Sequence, residues 1–320
     1  MLFKKVSAKA DVDYAQSNIA TKKPFNWNKF FAIVRKDSLA WLLIAPSLIF
    51  FIVFLWHPIV MGVRLSFYKT QGWDAVKFIG LDNFKYVMHN SLFLKALSNT
   101  FKYTFWSLAI GLMLPIFTAI ILNEMTFLKS FFRMAVYFPC LIPGIVTSVM
   151  WKIMLSPGDD GLFNTILAHL GKDPLPWLQN PAWTIPLIIM TGTWGGFGST
   201  TILYLADLQS VNVDLYEAAS LDGAGFWKRV WHITLPHMSG LIKMLLVMQI
   251  IGVFQTFQQP LAMTGGGPNN ASKPLMMVSY EYAFDQFQMG RSTAVSVFTM
   301  ILLIIFTILY LRLSKTAETE

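Results

Sequence analysis

The sequence predicts an all-α membrane protein with six transmembrane helices. Hydrophobic residues make up 55% of the 320 residues and charged residues only 13%, with a mean hydropathy of +0.52. The apolar residues are grouped in runs of about 20, the length that a helix needs to cross the hydrocarbon core. These runs lack the strict alternation of membrane strands. A large soluble helical domain is disfavoured because its composition would be far less apolar.

We place the six spans, in order, near residues 39–67, 99–122, 131–155, 183–205, 241–263 and 293–312. The first opens with the uncharged run Leu39–Trp56. Prolines within a span are tolerated where other groups satisfy the freed backbone. The chain is therefore divided into a basic N-terminal segment (1–38), a membrane domain (39–312) and a short tail (313–320).

The distribution of basic residues predicts the orientation. The N-terminal segment, the tail, the loops on their side and the span ends next to them hold 15 Lys and Arg residues, whereas the opposite loops hold 6; Arg64, Lys102, Lys152 and Arg291, at or near span ends, are left out of the comparison. Because Lys and Arg are retained on the cytoplasmic side, we expect both termini and the loop near 206–240 to be cytoplasmic. The net charge of +8 is mostly this orientation signal, so it does not call for a nucleic-acid partner.

A polar segment of small residues lies between the fourth and fifth spans. It contains Glu217, Ala218, Ala219, Asp222, Gly223 and Ala224. Small side chains let another protein approach closely, and Gly223 suits a sharp turn. We predict two short helices here, with Asp214 capping the first and Glu217 reaching back to it. A plain helical hairpin that joins two spans remains the alternative.

This segment resembles the EAA loop of ABC-importer permeases. The stretches that carry the resemblance are Tyr216-Glu217-Ala218-Ala219, Leu221-Asp222-Gly223-Ala224, Phe226 and Ile233-Thr234-Leu235-Pro236. Others resemble the carbohydrate branch, of the maltose and glycerol-phosphate permease type: Gly80-Leu81-Asp82-Asn83-Phe84, Leu261-Ala262-Met263-Thr264-Gly265-Gly266-Gly267-Pro268 and Tyr282-Ala283-Phe284. The resemblance extends over residues 39–312.

The resemblance implies a type I importer permease in the bacterial inner membrane. Its expected partners are a cytoplasmic ABC ATPase dimer that docks on the Glu217 loop, a second permease subunit and an extracytoplasmic solute-binding protein. ATP and magnesium would belong to the ATPase, because this sequence has no phosphate-binding Gly-x-x-x-x-Gly-Lys-Ser/Thr motif. The chain would therefore carry no cofactor and would not be an enzyme. The implied solute is a sugar or oligosaccharide, and Lys152, Lys273 and Arg291 leave an anionic one open.

Two groups of residues are candidates for solute and binding-protein contact. Gln255, Gln258 and Gln259 are spaced as one face of a helix and, with Trp194, could hydrogen-bond and stack on a sugar. Packing between helices is the alternative role for such residues. In the outward loops, Gly265, Gly266, Gly267 and Pro268 are expected to meet the binding protein, or else simply to close a turn.

An ion-coupled secondary carrier of a polar solute is the other function class. Such carriers usually place an acidic group within the membrane. In the predicted spans, acidic residues occur only at the margins, at Glu124 and Asp207. The five histidines show no paired metal-ligand spacing, so neither a metal site nor a catalytic group is predicted.

Overall fold

The computed structural model describes residues 38–317, with side chains described for residues 39–312. Most of the predicted N-terminal segment and the end of the tail lie outside the described residues. By its internal contacts the chain divides after Val60 into a smaller unit and a larger one.

The first helix, α1 (Leu39–Leu65), matches the first predicted span, and none of its most apolar window is buried within the protein. After it comes an antiparallel hairpin of β1 (Tyr68–Gln71) and β2 (Asp74–Phe78), in which Tyr68 faces Phe78. The short helix α2 (Asp82–His89) follows. The hairpin lies outside the predicted spans, so it does not conflict with an all-helical membrane region.

The second helix, α3 (Ser91–Glu124), is longer than the predicted span. It begins eight residues earlier than residue 99 because Asn90 caps it: the Asn90 side chain accepts a hydrogen bond from the Leu92 amide at 2.9 Å. An Asn at this position satisfies one of the free amides of the first turn.

The third predicted span is broken. Helix α4 (Lys129–Tyr137) with a short 3-10 turn and helix α5 (Gly144–Met154) meet at an angle of 94°. Ile142 and Pro143 have extended backbones between them, because a proline disfavours helical geometry in the residue before it. Helix α6 (Leu162–His169) lies in the following loop.

The fourth predicted span corresponds to α7 (Thr184–Leu208), a helix of 25 residues. Gly198 allows it to touch α4: a Cβ built on Gly198 would lie 2.2 Å from the carbonyl oxygen of Val136. Its other side faces α3 and the helices that follow, so α7 is the central helix of the larger unit.

The remaining helices are α8 (Val213–Leu221), α9 (Phe226–Phe254), α10 (Gln258–Thr264), α11 (Leu275–Tyr280) and α12 (Met289–Ala317). The predicted span 241–263 is wrong in its second half, because α9 ends at Phe254. Pro260 has no N–H to donate to the Thr256 carbonyl four residues earlier, and the chain leaves helical geometry around that residue.

Three π-helical turns also result from the missing N–H of a proline. They cover Ile52–Trp56, Ser107–Leu112 and Val230–Thr234. Each contains the residue four positions before a proline, namely Pro58, Pro115 and Pro236. The missing proline N–H leaves a carbonyl unpaired, and a local widening of the helix accommodates it.

Four described helices are long and apolar enough to cross a membrane: α1, α3, α9 and α12. The bent pair α4–α5 gives a fifth candidate. Helix α7 is long enough, at about 37 Å, but its glycine, serine and threonine residues make it less apolar. The predicted class of all-α membrane protein is confirmed.

The larger unit is held together by three apolar clusters. The first joins α3, α7 and α9 through Leu112, Ile116, Tyr204, Leu205 and Met238. The second joins α2, α3, α11 and α12, and the third surrounds Tyr103, Ile188 and Val253. The space between the first and third clusters is where polar side chains gather.

Candidate functional site

A polar cavity of about 240 Å³ lies between α3, α7, α9 and α10. It is lined by glycines, hydroxyls and amides with few apolar groups: Ser107, Gly111, Ile189, Gly192, Thr193, Gly196, Phe197, Thr200, Gln249, Gly252, Val253, Thr256 and Gln259. None of these side chains is charged. Buried amides and hydroxyls without charge are suited to a neutral, hydroxyl-rich solute.

Two glutamine amides form the walls of this cavity. The Gln259 Nε2 donates to the Ile188 carbonyl at 2.8 Å and to the Thr191 hydroxyl at 2.9 Å. The Gln249 Nε2 donates to the Ser107 hydroxyl. These bonds fix the orientation of both amide planes.

The glycines beside these amides leave no room for a side chain. A Cβ on Gly192 would lie 2.4 Å from the Gln259 Oε1, and one on Gly111 would lie 2.8 Å from the Gln249 Nε2. The positions of both glutamines therefore depend on glycine in the facing helix.

A second chamber of about 230 Å³ lies on the other side of Gln259. It shares Gly192, Gly196 and Gln259 with the first cavity and is also lined by Ile142, Gly144, Thr147, Ser148, Gly195 and Gln258. The two chambers meet at the Gln259 amide, and both are uncharged.

The predicted single face of Gln255, Gln258 and Gln259 is wrong. Because α9 stops at Phe254, Gln255 lies in the interruption and the other two lie on α10. Gln255 instead lines a groove of about 480 Å³, mostly apolar, between α9 and α12. Gln258 and Gln259 both reach the chambers.

Trp194 lies near the second chamber, on α7. Its ring meets that of Trp151 edge-on, with centroids 5.6 Å apart. Gln249 and Ser107 were not among the predicted site residues. A lone amide in the apolar run 241–254 was the signal that could have revealed Gln249, since such a group should face the interior of the bundle.

The loop between α7 and α9 carries the EAA residues on its surface. Glu217, Ala218, Asp222 and Gly223 are exposed, while Ala219 and Ala224 are half-buried. Gly223 has a φ of +73° and ends α8, and the Ala224 amide closes the turn on the Ala219 carbonyl at 2.9 Å. The first of the two predicted short helices is present as α8, whereas the second is not separate: it is the start of α9, which continues past Pro236 to Phe254.

The predicted cap of α8 is wrong. The side chain of Asn212 accepts a hydrogen bond from the Asp214 amide at 3.0 Å, so Asn212 is the cap and Asp214 lies in the first turn. Glu217 is thereby relieved of a capping role, and its side chain extends from the exposed face of α8.

Large apolar side chains are exposed around these residues. Leu221 is 90% exposed, Trp227 63% and Trp231 66%. Such groups on a loop between spans are typical of a surface that another protein covers.

Arg229 anchors the loop to the rest of the chain. Its guanidinium lies 3.1 Å from the Glu124 carboxylate at the end of α3 and donates to the Ser220 hydroxyl of α8 at 3.2 Å. A second tie joins the Tyr216 and Thr234 hydroxyls at 3.0 Å. Helix α8 is thus attached both to α9 and to the end of α3, which sequence reasoning did not anticipate.

The Thr264–Pro268 stretch forms a tight turn after α10. Gly265 and Gly266 have φ values of +59° and +88°, and the Gly267–Pro268 peptide bond is cis. The Ser272 hydroxyl donates to the Gly267 carbonyl at 2.6 Å. These glycines are required by the turn itself, and their contact with a binding protein stays a prediction.

The turn is fixed to α3. Asn99 donates to the carbonyls of Asn270 and Lys273 at 2.8 and 3.0 Å, and the Tyr103 hydroxyl donates to the Ser272 carbonyl. Lys273 is paired with Glu281 at 2.5 Å. Nearby, burial is the main reason that the pKa of Tyr282 is raised above its ordinary value.

Arg291 and Lys152, the other two basic residues considered for an anionic solute, have different surroundings. Arg291 lies over the Tyr86 ring at 3.5 Å, whereas Lys152 is exposed and lines an outer cavity of about 340 Å³ next to Gly267 and Pro268. In the part of the chain that the structure describes, no group of three or more His, Cys, Asp or Glu side chains could hold a metal ion.

Comparison with known proteins gives consistent matches. The family model described as "binding-protein-dependent transport system inner membrane component" matches residues 111–318. The arabinooligosaccharides transport system permease protein AraP of Bacillus subtilis (strain 168) is 30% identical over 300 residues, which cover 93% of this chain and 95% of that protein. The trehalose/maltose transport system permease protein MalF of Thermococcus litoralis is 31% identical over 282 residues, covering 88% and 95%.

Two solved structures share the fold over most of their length. A chain of a bacterial ABC transporter involved in the import of the acidic polysaccharide alginate superposes with a TM-score of 0.80 and 26% identity, covering 90% of this chain and 99% of that one. A chain of the bacterial alginate ABC transporter in complex with an alginate pentasaccharide-bound periplasmic protein gives 0.81 and 25%, covering 90% and 97%.

Proposed function

The chain belongs to the family of binding-protein-dependent transport system inner membrane components, and on that basis we propose that it forms the path for a sugar or oligosaccharide in an ABC importer. The relatives named above support a carbohydrate solute, since their names refer to arabino-oligosaccharides, trehalose and maltose, and alginate. The chain itself is a permease subunit and not an enzyme.

The observation that carries this proposal is the pair of chambers that meet at Gln259. Their walls are amides, hydroxyls and glycines. Amide and hydroxyl groups exchange hydrogen bonds with sugar hydroxyls, and the ring of Trp194 offers a surface for the apolar face of a sugar. In this proposal Trp194, Gln258 and Gln259 line the path, together with Gln249.

The chambers favour a neutral sugar ring, because no charged side chain lines either of them. Of the three basic residues considered for an anionic sugar, Lys273 is paired with Glu281 and Arg291 lies on Tyr86. Lys152 at the outer cavity is therefore the residue that would meet a carboxylate first.

Coupling to ATP hydrolysis belongs to the Glu217 loop in this proposal. The exposed face of α8 would dock on a separate cytoplasmic ABC ATPase dimer, which holds ATP and magnesium. Movement of α8 would pass through Arg229 to the end of α3, whose middle lines the first cavity at Ser107 and Gly111. This is rigid-body motion carried by a packed joint.

The remaining partners follow from the same arrangement. A second permease subunit, related or identical, would complete the membrane part. An extracytoplasmic solute-binding protein would meet the outward loops, including Gly265, Gly266, Gly267 and Pro268. Both termini and the Glu217 loop would face the cytoplasm of a bacterial cell, in keeping with the 15-to-6 distribution of Lys and Arg.

The test is ATP hydrolysis in proteoliposomes that contain the permease, its ATPase and its binding protein. Glu217→Lys should abolish solute-stimulated hydrolysis, because the charge that faces the ATPase is reversed. Asp173→Lys is the control, since it reverses an exposed acid outside the Glu217 loop, and it should retain stimulation. Full stimulation in Glu217→Lys would overturn the proposed joint. Solute uptake without the ATPase, driven by an ion gradient, would instead support a secondary carrier.

A further inference from the structure

Two polar atoms on one turn of α5 have no hydrogen-bond partner among the described residues. They are the hydroxyl of Thr147 and the indole N–H of Trp151, and both are buried. The residues are four apart, so they lie on the same face of the helix. Buried donors without partners are costly and uncommon in native proteins, and each calls for an explanation.

The helix backbone does not account for the Thr147 hydroxyl. Many helical hydroxyls in the described part of the chain donate to the carbonyl four residues back, as Ser148 does to Gly144 at 2.8 Å and Thr201 to Phe197 at 2.8 Å. Thr147 makes no such bond. Its methyl group packs toward α7, 3.4 Å from where a Cβ on Gly195 would lie. The methyl group thus faces Gly195, and the hydroxyl is left without a partner among the described residues.

Thr147 lines the second chamber, and Trp151 lies one turn further along α5, beside Trp194. Thr147 is only 4% exposed and lines the chamber with Gln258 and Gln259. Trp151 stacks on Phe163, with ring centroids 6.0 Å apart, and meets Trp194 edge-on. The indole is therefore held in one orientation by its neighbours.

We propose that Thr147 and Trp151 are solute-binding residues of the second chamber, and that they hydrogen-bond hydroxyl groups of a sugar when α5 and α10 move apart during transport. The inference rests on the proposed carbohydrate path and adds a wall to it that comes from the broken third span. It also gives the bend between α4 and α5 a role, because the bend presents this face of α5 to α7 and α10.

The test compares uptake by the reconstituted complex for Thr147→Val, Trp151→Phe and the control Thr201→Val. The probes are radiolabelled maltose, trehalose, arabinotriose and alginate trisaccharide. Thr147→Val removes only the hydroxyl at nearly constant volume, and Trp151→Phe removes the indole N–H but keeps a ring. For the sugar that the wild type carries, KM should rise about threefold to tenfold in each, the loss expected for one hydrogen bond. Thr201→Val should leave KM unchanged, because Thr201 lines neither chamber.

Thermal unfolding gives a second readout. Because the Thr147 hydroxyl has no partner within the described part of the chain, Thr147→Val should keep or raise the melting temperature, whereas Thr201→Val should lower it. An unchanged KM in both Thr147→Val and Trp151→Phe would overturn the inference, as would a fall in melting temperature for Thr147→Val that matches Thr201→Val. Uptake of none of the four sugars by the wild type would count against the carbohydrate path itself.

Discussion

The contact between α4 and α7 gives a prediction whose size can be worked out from the structure. In Gly198→Ala the new Cβ would lie 2.2 Å from the Val136 carbonyl oxygen and 2.9 Å from the Tyr137 Cα. Both are backbone atoms and cannot swing aside like the end of a side chain. The two helices must therefore separate by close to an ångström before the methyl group fits.

The cost of overpacking a tight interface is about 1–3 kcal/mol or more. Alanine regains about 1 kcal/mol over glycine in helix propensity. Because the clashing atoms are backbone, we take the upper cost of about 3 kcal/mol, and the free energy of unfolding should then fall by about 2 kcal/mol in Gly198→Ala, which corresponds to a melting temperature lower by a few degrees. Gly196→Ala is the matched control, because a Cβ there meets nothing within 4 Å. It should be neutral or slightly stabilising.

The assay is thermal unfolding of the purified permease complex in detergent, followed by tryptophan fluorescence. A melting temperature for Gly198→Ala equal to or above that of Gly196→Ala would refute the close approach of α4 and α7. If both variants melt at a lower temperature than the wild type, the glycines contribute to helix flexibility in general and not to one contact.

Two further predictions concern the loop and the orientation. Arg229→Glu and Glu124→Arg should each lower solute-stimulated ATP hydrolysis several-fold, because a partly exposed ion pair contributes up to about 1 kcal/mol. The double variant, in which the two charges are exchanged, should restore hydrolysis. If it does not, the pair does not position α8. The orientation is tested with single cysteines in a variant that lacks the native Cys140. Asp160→Cys and Asn270→Cys should react with an impermeant thiol reagent from outside the cell, and Ser220→Cys only from the cytoplasmic side. External labelling at residue 220 would show that the orientation is the reverse of the one predicted.

The membrane class and the positions of most spans follow from the sequence because they depend on local composition. Runs such as Leu39–Trp56 need no tertiary partner to be recognised. The EAA loop and the turn at Gly223 are also local, since a small-residue segment and a glycine with positive φ leave their signature within a few positions. The same holds for the lack of acidic residues within the predicted spans, which argued against an ion-coupled carrier.

The predicted helix cap and the predicted glutamine face were wrong because two local sequence patterns compete at each place. Asp214 and Asn212 are both good capping residues, and only the extended backbone of Asn212 decides between them. The glutamine spacing suggested one helix face, yet Pro260 removes a backbone donor and interrupts that helix. Pro260 is present in the sequence, and it has no N–H to pair with the carbonyl four residues earlier. The predicted span should therefore have ended near residue 255.

The contacts that build the site join distant parts of the chain. Arg229 and Glu124 are 105 residues apart, and Gln249 and Ser107 are 142 apart. No periodicity connects such pairs. Their assembly depends on how α3, α7 and α9 pack, which single-sequence patterns do not specify.

The most direct test of the account is sugar uptake by three glutamine variants of the reconstituted complex. Gln249→Leu and Gln259→Leu delete amides that line the chambers, while Gln255→Leu deletes an amide on the apolar groove between α9 and α12. All three keep a similar volume, so they differ mainly in where the hydrogen bonds are lost. The account predicts that uptake falls about tenfold in Gln249→Leu and Gln259→Leu, as expected when one or two hydrogen bonds to the solute are lost, and stays near the wild-type rate in Gln255→Leu. Loss of uptake in Gln255→Leu alone, with normal rates in the other two, would contradict it, because the path would then follow the groove and not the chambers.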